Sequence, residues 1–433
     1  MTRMKESGID WIGQIPEEWE VRAIKHIVET PVTDGPHETP VLYETGIPFL
    51  SAEAVKDGIL DFNYKRGYIS LKDHERFKKK ISPKKDDIFI VKSGATTGNV
   101  GIVNTDDIFD IWSPLALIRC NKTLAIQKYI YFYLLSTLFK AQVEFNWSFG
   151  TQQNIGMGVI ERIKVILPPV SEQQKIADFL DKKTAQLDKV KALLEEQIQK
   201  FKDYRASLIY ETVTKGLDKT VPMKDSGIDW IGHVPEGWGV KAIKYIFDEI
   251  GSGSTPKSDN EIFYDGDINW IQSGDLYQTD TVTSVSKTIS YQGFKSTSAL
   301  KIYQQPFVAL AMYGASVGNV AVSYIDACVN QAVVAMLGSS EKVSFGKYAI
   351  EASKSNLIFS AQGGTQPNIS QNLIKNWSIP QPKNEEQEQV VDFLDKKTVQ
   401  IDKLIQIKNE QIKNINKQRQ TLIYDYVTGK RRV

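Results

Sequence analysis

The sequence predicts an α+β (mixed α/β) fold: two similar globules and two long antiparallel coiled-coil helices, arranged as a pseudo-twofold internal repeat. The first observation is a duplicated opening segment. Residues 4–27 read MKESGIDWIGQIPEEWEVRAIKHI, and residues 223–246 read MKDSGIDWIGHVPEGWGVKAIKYI. The second is a duplicated block further on, DFLDKKTAQLDKV at 178–190 and DFLDKKTVQIDKL at 392–404. A repeat of roughly 217 residues is far longer than the units of a solenoid, about 20–50 residues. The third observation is that the stretches between these blocks agree only in scattered places, so the framework is kept and the inserts diverge.

Each element follows in order. The first insert, about 30–167, alternates short β-like runs at 47–50, 87–91, 100–103, 115–119 and 163–167 with turn signals. The apolar run AIQKYIYFYLLSTLF at 125–139 reads as one buried helix. The second insert repeats the layout, with β-runs at 268–272, 307–312, 320–323 and 332–337 and a helix at 346–359. Pro168–Pro169 and Pro380–Gln381–Pro382 stop the last strand of each globule. A helix then begins, with capping-box patterns at Ser171/Gln174 and Asn384/Gln387.

Apolar positions at Ile176, Leu180, Leu187, Val190, Leu194, Ile198, Phe201, Tyr204 and Leu208 follow at spacings of mostly three, four or seven. Val390, Leu394, Ile401, Leu404, Ile407, Ile412, Ile415 and Leu422 do the same in the second copy, as a helix–helix seam requires. Each helix is about 40 residues, or about 60 Å. Such a stripe outruns a small globule, so the two helices are expected to pair. Gly216 and Gly429 read as the glycines that end them, Gly429 before a basic tail, Lys430–Arg431–Arg432. The expected divisions are 1–169, 170–215, 216–381 and 382–433.

Composition narrows the function. Lysine and arginine number 53 against 52 acidic residues, so the chain lacks the strong basic excess of many autonomous DNA binders. Local groups such as Lys78–Lys79–Lys80 with Lys84–Lys85 form either a solvated face or a phosphate contact. No apolar run reaches the ~18 residues of a membrane span and the N-terminus is polar, which predicts a cytoplasmic location. The two cysteines, Cys120 and Cys328, occupy unmatched places in apolar contexts and read as free buried thiols; no metal site is expected. There is no GxGxxG opening a helix after a strand, no GxxxxGK[ST], no HExxH and no Asp/Asn-Pro-Pro-Tyr/Phe tetrapeptide. No catalytic residues are assigned.

Two short motifs recur instead. Gly94-Ala-Thr-Thr-Gly-Asn-Val100 matches Gly314-Ala-Ser-Val-Gly-Asn-Val320, each between β-runs, and fits a Gly-rich hairpin or a phosphate cradle. Gly150-Thr-Gln-Gln-Asn-Ile155 matches Gly364-Thr-Gln-Pro-Asn-Ile369. Gln and Asn pair bidentately with adenine in the major groove, and Ser, Thr and Lys bond base edges or phosphates. Trp11 and Trp19 of the first opening segment are matched by Trp230 and Trp238 of the second. They either staple the segment to the globule or anchor a partner.

The opening segment SGIDWIGxxPExW, Gly-Ala-Ser/Thr-x-Gly-Asn-Val, Thr-Gln-x-Asn-Ile and the helix start P-x-x-x-E-Q-x-x-(I/V)-x-x-F-L-D-x-K occur in that order, twice. In this the chain resembles the specificity (S) subunits of type I restriction-modification systems over essentially its whole length. The resemblance implies two target-recognition domains, each reading one half of a bipartite, asymmetric site in double-stranded DNA, and helices that fix the gap. It implies a non-catalytic subunit docking two methyltransferase (M) subunits, with up to two restriction (R) subunits joining. It places no cofactor in this chain: S-adenosylmethionine belongs to M, and ATP and Mg to R. A dyad-related reader addresses half-sites about one helical turn, ~34 Å, apart.

The residues expected to touch DNA in the first domain are Thr33, His37, Lys92, Ser93, Thr96, Thr97, Gln152, Gln153 and Asn154. In the second they are Ser254, Thr255, Lys257, Gln272, Tyr313, Ser316, Gln362, Thr365 and Gln366. Members recurring in both domains fit framework or phosphate contacts; divergent ones such as His37 and Lys257 fit specificity. Two other classes compete: a coiled-coil scaffold that does not read DNA, and a stand-alone DNA-modifying enzyme.

Overall fold

The computed structural model describes residues 3–9, 12–146, 153–361 and 368–433. The chain forms two compact units, one of Met1–Leu194 with Asn409–Val433 and one of Glu195–Lys408. Each unit therefore contains the start of one long helix and the end of the other.

In the first unit a six-stranded sheet runs in the order Thr33–Asp34, Leu115–Ile118, Ile88–Val91, Val100–Ile102, Ile59–Leu60, Val55–Lys56. Its central strand is apolar at every position because both faces are covered. Ile88 and Ile90 pack on the helical side with Tyr129, Ile130 and Val143, whereas Phe89 and Val91 pack on Leu50, Phe109 and Ile111. A three-stranded sheet, Asp110–Ile111, Ile47–Leu50 and Gly67–Ile69, lies beside it. The second unit repeats this with a five-stranded sheet, Glu249–Ser252, Val333–Leu337, Phe307–Ala311, Val320–Ser323 and Thr281–Val282. Its three-stranded companion is Thr288–Ile289, Tyr264–Ile271 and Cys328–Val329.

The opening segment closes each globule. Glu20–Ala23 pairs with Lys164–Leu167, and Gly239–Ala242 pairs with Ser378–Gln381, so the first and last segments of each globule meet in one ladder. Trp19 is fully buried and its Nε1 donates to Glu172 Oε2 at 3.0 Å; Trp238 donates to Glu386 Oε1 at 3.2 Å. Trp230 donates to the Ser378 carbonyl at 3.1 Å. These three tryptophans are staples between opening segment, globule and the first turn of the following helix. Trp11 lies outside the described residues.

Two expectations about helices change. The apolar run at 125–139 is two helices, Gln127–Leu134 and Thr137–Phe145, and its counterpart is Ser340–Ala352 followed by Lys354–Phe359. The same device makes both breaks. The hydroxyls of buried Ser136 and Ser353 donate to the carbonyls three residues back, Tyr133 at 2.6 Å and Ile350 at 2.9 Å, offering the backbone an alternative to the next helical turn. The capping boxes also shift. The long helices are Val170–Lys215 and Asn384–Val427, so Ser171 sits inside the first turn. Instead Gln173 Nε2 donates to the Pro168 carbonyl and Gln387 Nε2 to the Pro382 carbonyl, both at 2.9 Å, tying each helix to its proline stop.

Within each unit the helix segments run antiparallel. In the first, Phe179 packs on Tyr426 at 4.5 Å and Asp188 faces Arg419 at 3.5 Å. In the second, Arg205 faces Asp402 at 3.4 Å. The seam is less apolar than the stripe implied. Val190, Tyr204, Leu404 and Ile407 are exposed, while Thr184 and Thr398 are buried. Stepping by four and three from Leu180 reaches Thr184, Leu187 and Lys191, leaving Val190 one position off the seam. The glycines behave as read: Gly216 and Gly429 have φ of 69° and 72°. A Cβ on Gly429 would stand 2.5 Å from Pro16 Cδ and 3.2 Å from Trp19, and one on Gly216 3.2 Å from Trp238. The expected basic tail folds back, Arg432 pairing with Glu18 and, at 3.2 Å, with Glu172.

Cys120 and Cys328 are buried and free, and burial pushes both thiols up to about 12. In the native chain neither is expected to react appreciably with a thiol reagent at pH 8, and both should react once denaturant unfolds it. Mass spectrometry of the labelled chain checks this. Rapid native labelling of either cysteine would contradict the packing.

Candidate nucleic-acid interface

In each unit three segments converge at one end of the large sheet. The Gly-rich motif is a hairpin turn. Gly98 N donates to Val91 O and Val91 N to Asn99 O, both at 2.8 Å, and Gly318 N to Ala311 O and Ala311 N to Asn319 O, both at 2.9 Å. Glycine is needed at its end for two reasons. Gly98 and Gly318 have φ of 89° and 74°, and an added Cβ would stand 3.1 Å from Val143 and 2.9 Å from Ile358.

The Gln-x-Asn-Ile segment leans on this hairpin. Ile155 N donates to Lys92 O and Ile369 N to Met312 O, both at 2.8 Å. Thr97 Oγ1 donates to Gly94 O at 2.7 Å and to Gln153 O at 3.0 Å, and Ser93 bridges to Asn154. The third segment leaves the edge strand, Thr33–Asp34 in one unit and Glu249–Ser252 in the other. It passes the neighbouring chain so closely that a Cβ on Gly35 would stand 2.3 Å from Ile111 O, and one on Gly253 1.7 Å from Val329 O.

The expected contact residues separate by exposure. His37, Thr96, Gln153 and Asn154 are exposed at this edge, as are Thr255 and Lys257 in the second unit. Thr33 is half-buried in its strand, paired with Leu117. Thr97 and Ser316 are buried, and the Thr97 hydroxyl is used internally, which makes it a brace of the turn. Ser254 accepts from Trp270 Nε1 through its carbonyl at 3.2 Å, and Thr255 donates to Gln331. Gln272 caps the short helical turn Ser273–Leu276, its backbone N–H donating to Asp275 at 2.8 Å. Tyr313 is half-buried, which pushes its phenol up. Gln152, Gln362, Thr365 and Gln366 lie outside the described residues.

Lys92 points inward. Its Nζ donates to Asp34 Oδ2 at 2.5 Å; Lys80 Nζ donates to Asp34 Oδ1 at 2.6 Å and Gly35 O at 2.9 Å; His37 Nε2 lies 3.1 Å from Asp34 Oδ2. Burial alone would push the Asp34 carboxyl up, but the two ammonium groups outweigh it and hold it below the usual range. The sequence marked the loop from Thr33 to His37 and the run Lys78–Lys79–Lys80, but not that Asp34 binds Lys80 and Lys92. The one local signal is the Thr-Asp-Gly-Pro turn. Elsewhere, Arg66 stacks on Trp112 at 4.4 Å and Lys56 over Tyr64 at 3.1 Å. Among the described residues no group of three His, Cys, Asp or Glu is placed to hold a metal, and no helix is long and apolar enough to cross a membrane.

The model of the type I restriction modification DNA specificity domain family matches residues 16–200 and again 235–417. The chain belongs to this family. The function of this family is DNA target recognition, and the chain is a specificity subunit of the type I restriction-modification class. Its two family domains each include a globule and much of the helix that follows.

Relatives agree along the length. A Methanocaldococcus jannaschii protein provisionally named the type I restriction enzyme MjaX specificity subunit is 26% identical, over 98% of this chain and 96% of its own. The type I restriction enzyme MjaVIII specificity subunit of the same organism is 24% identical, over 97% and 94%. The Escherichia coli type I restriction enzyme EcoBI specificity subunit is 24% identical, over 74% and 71%. Among solved structures, a chain from a study of assembly and conformational transition of the type I R-M system shares the fold. Its TM-score is 0.70 at 16% identity, covering 95% of this chain and 98% of that one.

Proposed function

We propose that each globule reads one half of a bipartite, asymmetric site in double-stranded DNA. Residues 1–169 and 216–381 act as the two target-recognition domains. Residues 170–215 and 382–433 act as the helices that set the gap and dock two methyltransferase subunits, with up to two restriction subunits joining. The chain itself is non-catalytic and works in the cytoplasm, S-adenosylmethionine being bound by the methyltransferase subunits and ATP and Mg by the restriction subunits. The observation that carries this reading is one frame built twice with different contents. Hairpin and Gln-x-Asn-Ile segment meet through the same backbone hydrogen bond in both units and the edge strand pairs in the same register, yet where one unit has Lys92 and Asp34 the other has Met312 and Ser252. A repeated frame suits a repeated partner; different contents suit different half-sites. The exposed residues His37, Thr96, Gln153, Asn154, Thr255 and Lys257 are the first candidates for contact with bases or phosphates.

The near-neutral charge of the chain implies that partners add phosphate contacts. Alone it should bind DNA weakly and with a shallow salt dependence. With its cognate methyltransferase subunit it should form a complex of two methyltransferases per chain that binds tightly. Native mass spectrometry reads the stoichiometry; one methyltransferase per chain, or none, overturns it.

A further inference from the structure

We propose that Asp34 is the positioning residue of a basic node, Lys80, Lys92 and His37, through which the first unit contacts acceptor atoms of its half-site, and that the second unit works without such a node. This rests on the reading that each unit addresses one half-site.

The node sits where the three converging segments meet. Asp34 ends the edge strand, His37 lies in the loop that follows, Lys92 begins the hairpin, and the Lys92 carbonyl holds Ile155 of the Gln-x-Asn-Ile segment. One buried carboxylate faces two ammonium groups, so the node carries net positive charge whatever the state of His37. A lysine ammonium has three donors, and the two bonds of Lys80 to Asp34 and Gly35 leave one to offer outward. The side chains of Lys80 and His37 are 43% and 73% exposed, so a ligand can reach them. A flexible lysine loses much rotamer freedom when it binds. Pinning by a buried carboxylate removes that freedom beforehand and aims the ammonium, as a supporting residue does for a binding group.

The second unit shows that the fold does not require the node. Met312 matches Lys92: its N–H donates to Ala332 O as that of Lys92 does to Pro114 O, and its carbonyl accepts from Ile369 as that of Lys92 does from Ile155. Ser252 matches Asp34. Each pairs with a strand residue, Val334 or Ala116, that pairs in turn with the residue two before Met312 or Lys92. The cluster is thus an addition to a shared frame, and it differs where the half-sites are read.

The acceptor atoms are either the O6 and N7 of guanine, the commonest partners of basic side chains in the major groove, or phosphate oxygens. The double variant Asp34→Ser/Lys92→Met installs the pair the second unit already tolerates, and Lys80→Gln tests the exposed ammonium separately. Both are assembled with the methyltransferase subunits and compared with wild type on duplexes altered in one half-site at a time, the half-sites being those mapped from the methylation the wild-type complex deposits. If the node meets guanine, discrimination within the first half-site falls about tenfold or more and the second half-site is read as before. If it meets phosphate, affinity falls alike for all sequences and the salt slope drops by about one. Either result supports the node and names its ligand. Unchanged behaviour of both variants, or loss of sequence discrimination in the second half-site as well as the first, overturns it. Should the wild-type complex show no separate half-sites, the reading of the two units fails instead, and the two failures are told apart by that control.

Discussion

Replacing Arg205 by methionine is expected to destabilise the second unit by about 3 kcal/mol, the lower end of the cost of breaking a buried ion pair. Arg205 leaves the long helix to meet Glu351 and Asp280, and its Nε faces Asp402 at 3.4 Å. Lys347, almost fully buried, pairs with Asp280 at 3.0 Å and Glu351 at 2.8 Å. Two cations thus face three carboxylates, and without Arg205 the remaining charges leave two negatives uncompensated. The lower end applies because the Asp280 and Asp402 side chains are 41% and 50% exposed, and water screens them.

The pH dependence has a definite sign. Burial alone would raise the Asp280 carboxyl, but Lys347 and Arg205 together hold it below the ordinary range. Its folded value is below its unfolded one, so its stabilisation is present above the unfolded value and is lost as pH falls through the folded one. Asp402 is the opposite: burial raises it despite Arg205, so protonation on acidification relieves strain in the folded state. Removing Arg205 raises both, so the deficit of the variant is greatest near neutral pH and shrinks as the carboxylates protonate. Urea unfolding at pH 7 and pH 4 measures it. Arg419, at the matching place in the first unit, faces Asp188 at 3.5 Å and lies against the Tyr131 hydroxyl, and among the described residues it pairs with no second acid. Arg419→Met should therefore cost less, and equal costs at both sites would contradict this account.

The frame was legible in the sequence because it depends on local patterns said twice. Opening segments, proline stops and runs such as Ile88–Val91 carry the same spacing in both copies, and spacing is what decides strands and helices. What was not legible depends on contacts distant along the chain. Asp34 meets Lys80 and Lys92 across 46 and 58 residues, and Arg205 meets Glu351 across 146. No window of sequence contains both partners. The helix breaks at Ser136 and Ser353 were hidden for another reason: a buried serine inside an apolar run looks like a tolerated polar residue until its hydroxyl is seen to hold a carbonyl. Thr97 shows the corresponding limit at the interface. A hydroxyl in a Gly-rich loop serves equally as a contact for DNA or as a brace for the turn, and only its burial against Gly94 and Gln153 decides.

Exchanging the first insert for that of another family member is expected to change one half of the methylated motif and leave the other half and the spacer intact. The structure shows where to cut. Glu20–Ala23 pairs with Lys164–Leu167, and Ile24 N donates to Ile163 O at 3.0 Å, so the two ends of the insert emerge side by side from one ladder. An exchange of residues 30–163 keeps that ladder, the Trp19–Glu172 staple and the long helix, and so keeps the surfaces that the repeat holds constant. Each mismatched base pair costs about 1–3 kcal/mol, so two in the parental half-site weaken binding to it by about thirtyfold or more. Sequencing of methylated adenines in cells carrying the hybrid complex reads both halves at once. If both halves changed, or the spacer moved, the insert would be setting geometry as well as sequence, and the division between a constant frame and variable contents would be wrong.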